Sequence, residues 1–240
     1  MTAARLAGVL TPVLTPFNSD LAPDSRRHLS HCKWLLGAGS AALAVFGTTS
    51  EANSMSADER MVLLEQLVQG GVPADRLMPG TGLCALTDSV RLTRHAVALG
   101  CAGVLMLPPF YYKGVSDEGL YRSYAEIIER VGDSRLRLYL YHIPPVAQVG
   151  ISLALIERLL ARSLLAAFAK SGFDVFAGSE AYLLETLRAG GAGCITATGN
   201  VNSAAIDRLY RGWRSAEAER MQDASAAGRA DPGAKRRAGL

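Results

Sequence analysis

Short apolar runs recur along this chain, and all but Arg137–Tyr141 close on Gly, Pro, Thr or Ser or on the residue beside one. They cover Gly8–Leu14, Ala42–Phe46, Leu77–Gly80, Gly103–Leu107, Arg137–Tyr141, Asp174–Ala177 and Gly193–Ala197. Their length, their apolar content and their turn-forming borders predict strands. Between them lie segments with apolar positions at helical spacing: Asp24–Leu36, Ser56–Gln69, Thr87–Leu99, Ser116–Arg130, Ser152–Phe168 and Ala181–Ala189. One more amphipathic helix is expected from Ala204 to about Met221. Asp24, Ser56, Thr87 and Ser116 stand where N-caps belong, and Glu59 completes a capping box with Ser56. Regular strand–helix alternation calls for parallel strands joined by crossover helices, with the closed (β/α)8 TIM barrel as the leading α/β solution. The runs number seven where that barrel needs eight. The step from Tyr141 to Val175 has room for one strand–helix unit only. The expected fold is therefore an incomplete TIM barrel.

The length of 240 residues suits one such domain. Hydrophobic residues make up 49% and charged residues 20%, ordinary values for an α/β protein. The net charge of +3 is carried wholly by the tail, where Arg229, Lys235, Arg236 and Arg237 face Asp231 alone. The body is thus close to neutral, which argues against a nucleic-acid partner. Residues 1–222 are expected to form the barrel domain, and residues 223–240 a disordered basic tail. Cys32, Cys84, Cys101 and Cys194 show no metal-finger or disulfide spacing, so thiols in the cytoplasm are expected. The apolar stretch Leu6–Leu14 is short and broken by Pro12, which makes it a strand and not a signal peptide. No apolar run has the length of a membrane span.

Candidate chemistry gathers at the strand ends. Phe46-Gly47-Thr48-Thr49-Ser50-Glu51 closes the second run, and its hydroxyls and backbone N–H groups suit a small carboxylate; the same residues also make good turn and N-cap sequence. Pro108-Pro109-Phe110-Tyr111-Tyr112 closes the fourth run with two phenols, and Tyr141-His142-Ile143-Pro144 closes the fifth with a third. A tyrosine in such a position can relay a proton or serve as plain core. His28, His31 and Cys32 cluster on the first helix, away from these strand ends, and only His142 is near the mouth, so no metal site is expected. The Gly190–Gly193 run reads as helix termination and close packing, with a phosphate loop as the alternative.

Taken together, Thr15-Pro16-Phe17, Gly47-Thr48-Thr49-Ser50-Glu51, Tyr111-Tyr112 with Glu118-Gly119-Leu120, Tyr141-His142-Ile143-Pro144, Gly178-Ser179-Glu180 and Gly190 to Thr196 resemble the dihydrodipicolinate synthase/N-acetylneuraminate lyase family over about residues 7 to 220. The resemblance implies a barrel, homo-oligomeric and commonly tetrameric, that acts on pyruvate or a related 2-oxo acid as a class I aldolase, lyase or synthase without a cofactor. It implies that Tyr141 shuttles a proton, that Thr48 links it to Tyr112 reaching in from a neighbouring subunit, and that Thr49 binds the pyruvate carboxylate. Ile195 and Gly178 would line the substrate site. Ser50 replaces the family's usual glycine, a change compatible with a negative φ. The loop after Tyr141 lacks the arginine that dihydrodipicolinate synthases use for their second substrate, which argues against aspartate semialdehyde.

The same resemblance demands a Schiff-base lysine on the sixth strand. The chain has only Lys33, Lys113, Lys170 and Lys235. Lys33 lies on the first helix, Lys113 beside the tyrosine pair and Lys235 in the tail. Lys170 has the right distance from Tyr141, but the next strand begins by Asp174, and a parallel crossover needs roughly a dozen residues. The expected arrangement joins Leu155–Ala161 to Ser163–Phe168, with the lysine-bearing strand lost between them. The alternatives to a working enzyme are a non-catalytic pyruvate-binding or regulatory relative, or a decayed gene product.

Overall fold

A computed structural model describes residues 5–160 and 174–227. The contacts divide the chain into two compact units, one formed by residues up to Met78 and from Asp174 onward, the other by Pro79–Phe173.

In the first unit, β1 (Gly8–Pro12), β2 (Ala42–Ala44), β5 (Phe176–Ala177) and β6 (Gly193–Ile195) form one all-parallel sheet in the order β2-β1-β6-β5. Leu77 adds a parallel bridge to Leu43 at the β2 edge. The last strand pairs with the first, Gly8 opposite Gly193 and Leu10 opposite Ile195, as closure of a barrel requires. Glycine is needed at this junction, because a Cβ on Gly193 would run into the Gly8 carbonyl. Gly190, at φ 88°, ends the preceding helix with its N–H on Leu187 O at 3.0 Å. The glycine run thus serves helix termination and strand packing.

Helices α1 (Ser25–Gly37), α2 (Ala57–Gln69), α7 (Leu183–Arg188), α8 (Gly199–Gly212) and α9 (Ala218–Ala227) belong to this unit. Val9, Cys194, Leu183, Leu184, Leu187, Ile206 and Leu209 are buried in one core against them. Asp24 caps α1 by accepting from Arg27 N–H, and Ser56 and Glu59 make the full capping box on α2. The helix expected from Ala204 to Met221 is two helices. The first starts earlier, at Gly199, kinks at Asn202 and ends at Gly212; the second runs through Ala227 and so carries residues 223–227 in helix.

In the second unit, β3 (Val104–Met106) pairs in parallel with β4 (Leu138–Leu140), and Gly80 bridges Leu105. Helices α3 (Leu86–Ala98), α4 (Asp117–Val131), α5 (Pro144–Ala147) and α6 (Leu153–Leu160) belong here. Ser116 caps α4, but Thr87 does not cap α3. The N-cap is Ala85, two residues before Thr87, so the helix begins at Leu86 with no side-chain cap bond. Leu120, Tyr124, Ile127 and Ile128 of α4 are buried.

All seven predicted runs are paired. Residues 161–173, and with them Lys170 and the expected Ser163–Phe168 helix, lie outside the described residues. The strands flanking that segment, β4 and β5, are only half-buried along their lengths, whereas β1, β2 and β3 are buried throughout.

Candidate active site

In the first unit, the turn after β2 is bracketed by two residues in the left-handed region, Phe46 at φ 59° and Glu51 at φ 54°. Bulky side chains seldom adopt this conformation, and it collects at functional turns. Ser50 makes the turn hold. Its side chain is fully buried, its Oγ donates to Val13 O at 2.5 Å and accepts from Gly47 N–H at 3.2 Å, and its φ is not positive. Ala52 N–H closes back on Gly47 O at 3.2 Å. Thr48 is left exposed and Thr49 half-buried, and their backbone N–H groups have no hydrogen-bond partner among the described residues. A Cβ on Gly47 would meet open space. Two N–H groups and two hydroxyls beside open space can take a carboxylate.

The neighbouring strand ends of this unit are polar and ordered. Ile195 ends β6, half-buried, and Thr196 after it donates to buried Glu180 Oε2 at 2.5 Å. Gly178 follows β5 and is exposed, with open space where a Cβ would stand. Asn200 holds the end of β1. Its Nδ2 donates to Pro12 O at 2.7 Å, while its Oδ1 accepts from Leu14 N–H at 3.2 Å and from His31 Nε2 at 2.9 Å. Neither Asn200 nor the clamp made by Ser50 was read from the sequence. Asn200 stands in the first turn of α8 and Ser50 in the turn after β2, positions where hydroxyls and amides also serve as ordinary caps.

His28 is buried beneath the turn, its ring 5.8 Å from that of Phe46. Neither ring nitrogen has a hydrogen-bond partner. Burial, with a smaller contribution from His31, lowers its pKa to about 4. Burial also pushes the Cys32, Cys101 and Cys194 thiols up to about 12. All four cysteines are free.

In the second unit, Tyr141 directly follows β4 and is half-buried, its N–H donating to Met106 O at 2.9 Å. His142 Nδ1 accepts from Ile151 N–H at 3.1 Å, which folds the following loop back. Tyr111 and Tyr112 stand out on their loop, 75% and 56% exposed, with rings edge-to-face at 5.5 Å. Lys113 does not point its amine at a strand end. It donates to Phe110 O and, at 2.9 Å, to Ala147 O. Among the described residues the lysines are Lys33, on α1, and Lys113, and neither is on a strand. No group of three or more metal-ligating side chains occurs among the described residues.

Parallel strands alternating with helices, the last paired with the first, define an α/β scaffold with polar groups at the C-terminal ends of its strands. The chain belongs to the dihydrodipicolinate synthetase family, whose model matches residues 5–226. It is 31% identical over 226 residues to an uncharacterized DapA-like lyase of Chloroflexus aurantiacus, covering 87% of this chain and 74% of that protein. It is 28% identical over 246 residues to a 4-hydroxy-tetrahydrodipicolinate synthase of Gluconacetobacter diazotrophicus, covering 93% and 80%. The crystal structure of YagE, a prophage protein of this family from Escherichia coli K12 in complex with pyruvate, superimposes with a TM-score of 0.82 at 25% identity, covering 93% of this chain and 81% of YagE. These relatives imply a TIM barrel fold.

Proposed function

We propose that this chain binds pyruvate or a related 2-oxo acid on the scaffold of a class I aldolase, lyase or synthase. The Phe46–Glu51 turn carries this reading: it presents the Thr48 and Thr49 N–H groups and hydroxyls, with no competing partner among the described residues, to open space beside Gly47. That donor set matches a carboxylate. In this reading Thr49 takes the substrate carboxylate, Ile195 and Gly178 line the site, and Tyr141 is the proton shuttle. Thr48 links Tyr141 to Tyr112, supplied across a subunit contact of a homo-oligomer. The exposure of Tyr111 and Tyr112 supports that last assignment.

Carbon–carbon chemistry on this scaffold needs a lysine amine to add to the keto carbon, with loss of water, to form an imine. Of the described lysines, Lys33 is on a helix and Lys113 is bonded to main-chain carbonyls. A second reading, a pyruvate-binding relative without aldol chemistry, is favoured by the absence of lysine from every described strand. The half-buried β4 and β5 support loss of a sixth strand between them in sequence, within a barrel domain that extends past residue 222 to the end of α9 at Ala227. Four free thiols support a cytoplasmic setting, and no helix among the described residues is long and apolar enough to cross a membrane.

Pyruvate titration followed by borohydride reduction and intact mass measurement tests these readings. At 100 times Kd, pyruvate is expected to raise the melting temperature by about 5–10 °C, with no reduced pyruvyl adduct. An adduct that disappears in Lys170→Ala would return full aldolase chemistry to the chain. The absence of both stabilisation and adduct would remove the pyruvate reading altogether.

A further inference from the structure

Two phenol-bearing loops of the second unit are joined by one side chain. Lys113 follows Tyr111-Tyr112 and donates both to Phe110 O, on its own loop, and to Ala147 O at 2.9 Å. Ala147 is the last residue of α5, which begins three residues after Tyr141. The loop ends are otherwise held by weaker means: Tyr111 N–H on Cys84 Sγ at 3.3 Å and Tyr112 N–H on Pro109 O at 3.2 Å. Thiols are weak acceptors. The α5 side is the more rigid partner, because Ala147 and Val149 are buried and His142 pins Ile151. A helix-terminal carbonyl without an intrahelical donor is a natural seat for a cation. The residue that joins the two loops is thus the one directly behind the tyrosine pair.

We propose that Lys113 is a positioning residue, a cationic strap that fixes the Tyr111–Tyr112 loop to the segment following Tyr141 so that the two phenol-bearing loops keep one register. The tyrosines themselves remain 75% and 56% exposed and are free to engage a partner group. This deepens the functional reading above, on which the catalytic meaning of Tyr112 and Tyr141 rests; the strap itself does not depend on pyruvate binding.

Chymotryptic cleavage after Tyr111 and Tyr112 reads the strap directly. Lys113→Met and Lys113→Arg are compared with the parent chain, with rates normalised to each urea-unfolded variant to remove any preference of the protease for residue 113. Cleavage after Tyr182, 63% exposed in the other unit, is the internal control. Lys113→Met is expected to cleave about tenfold faster at the pair, the factor carried by one hydrogen bond from a charged donor, with the Tyr182 rate and the melting temperature unchanged. Lys113→Arg keeps the charge and the donors and is expected to restore most of the protection. An unchanged rate in Lys113→Met overturns the proposal. So does an increase matched at Tyr182, or one that arginine fails to rescue, since either marks general loosening. A thermal shift with pyruvate on the parent chain is run in parallel: its absence counts against the pyruvate reading and leaves the cleavage result standing.

Discussion

His28 places an ionisable ring in a fully buried site beside Phe46 of the Phe46–Glu51 turn. Its native pKa is about 4 and its ordinary value 6.5, so between those pH values the unfolded chain takes up a proton that the folded chain refuses. Its contribution to stability is therefore full above pH 6.5 and is lost as pH falls toward 4, an effect of about 3 kcal/mol. Urea unfolding at pH 7 and pH 4.5 checks this. His28→Leu is expected to flatten the difference between the two pH values, and equal slopes in parent and variant would count against it. Ser50 makes a separate case. Removing its hydroxyl in Ser50→Ala leaves a buried carbonyl and a buried N–H without their partner. A loss of about 1–3 kcal/mol is expected, read in the urea midpoint, together with weaker stabilisation by pyruvate. The residues around the turn were legible in sequence because Gly-Thr-Thr-Ser-Glu is compact and ordered along the chain. The clamps were not: Ser50 to Val13 and Asn200 to Pro12 span 37 and 188 positions, and no local pattern encodes such distances.

Elements were read well where the pattern is periodic, as in α1, α2 and α4, whose caps at Asp24, Ser56 and Ser116 use side chains that bond their own first turn. The start of α3 was misplaced because Thr87 has the chemistry of a cap and the backbone does not use it. The break between α8 and α9 was missed because apolar positions continue through Trp213, which packs on the core while the backbone turns. These caps make a paired prediction. Ala85→Asp supplies the acceptor that α3 lacks and is expected to add about 1 kcal/mol, whereas Ser56→Ala is expected to remove about 1 kcal/mol. Chemical denaturation of both variants tests the pair, and effects of the same sign would contradict the capping account.

At the level of the whole molecule, the two units differ in what holds them. The first has a four-stranded sheet, and the second a two-stranded one among the described residues, and a two-stranded sheet depends heavily on its helices. Both tryptophans, Trp34 and Trp213, lie in the first unit. Urea unfolding followed by tryptophan fluorescence is expected to have a higher midpoint than the same transition followed by far-ultraviolet dichroism, which sees both units. Coincident curves would mean that the chain unfolds as one. Sequence reading could count seven strands because each is a local apolar run; barrel closure is a long-range property that no run states. The β1–β6 pairing also sets an order of events on the ribosome. Gly193 is synthesised 185 residues after its partner Gly8 (193 minus 8), on the order of 10 s or more later at ordinary elongation rates. For that interval β1 has β2 on one side and nothing on the other, and the nascent chain is at greatest risk of pairing that edge with a stranger.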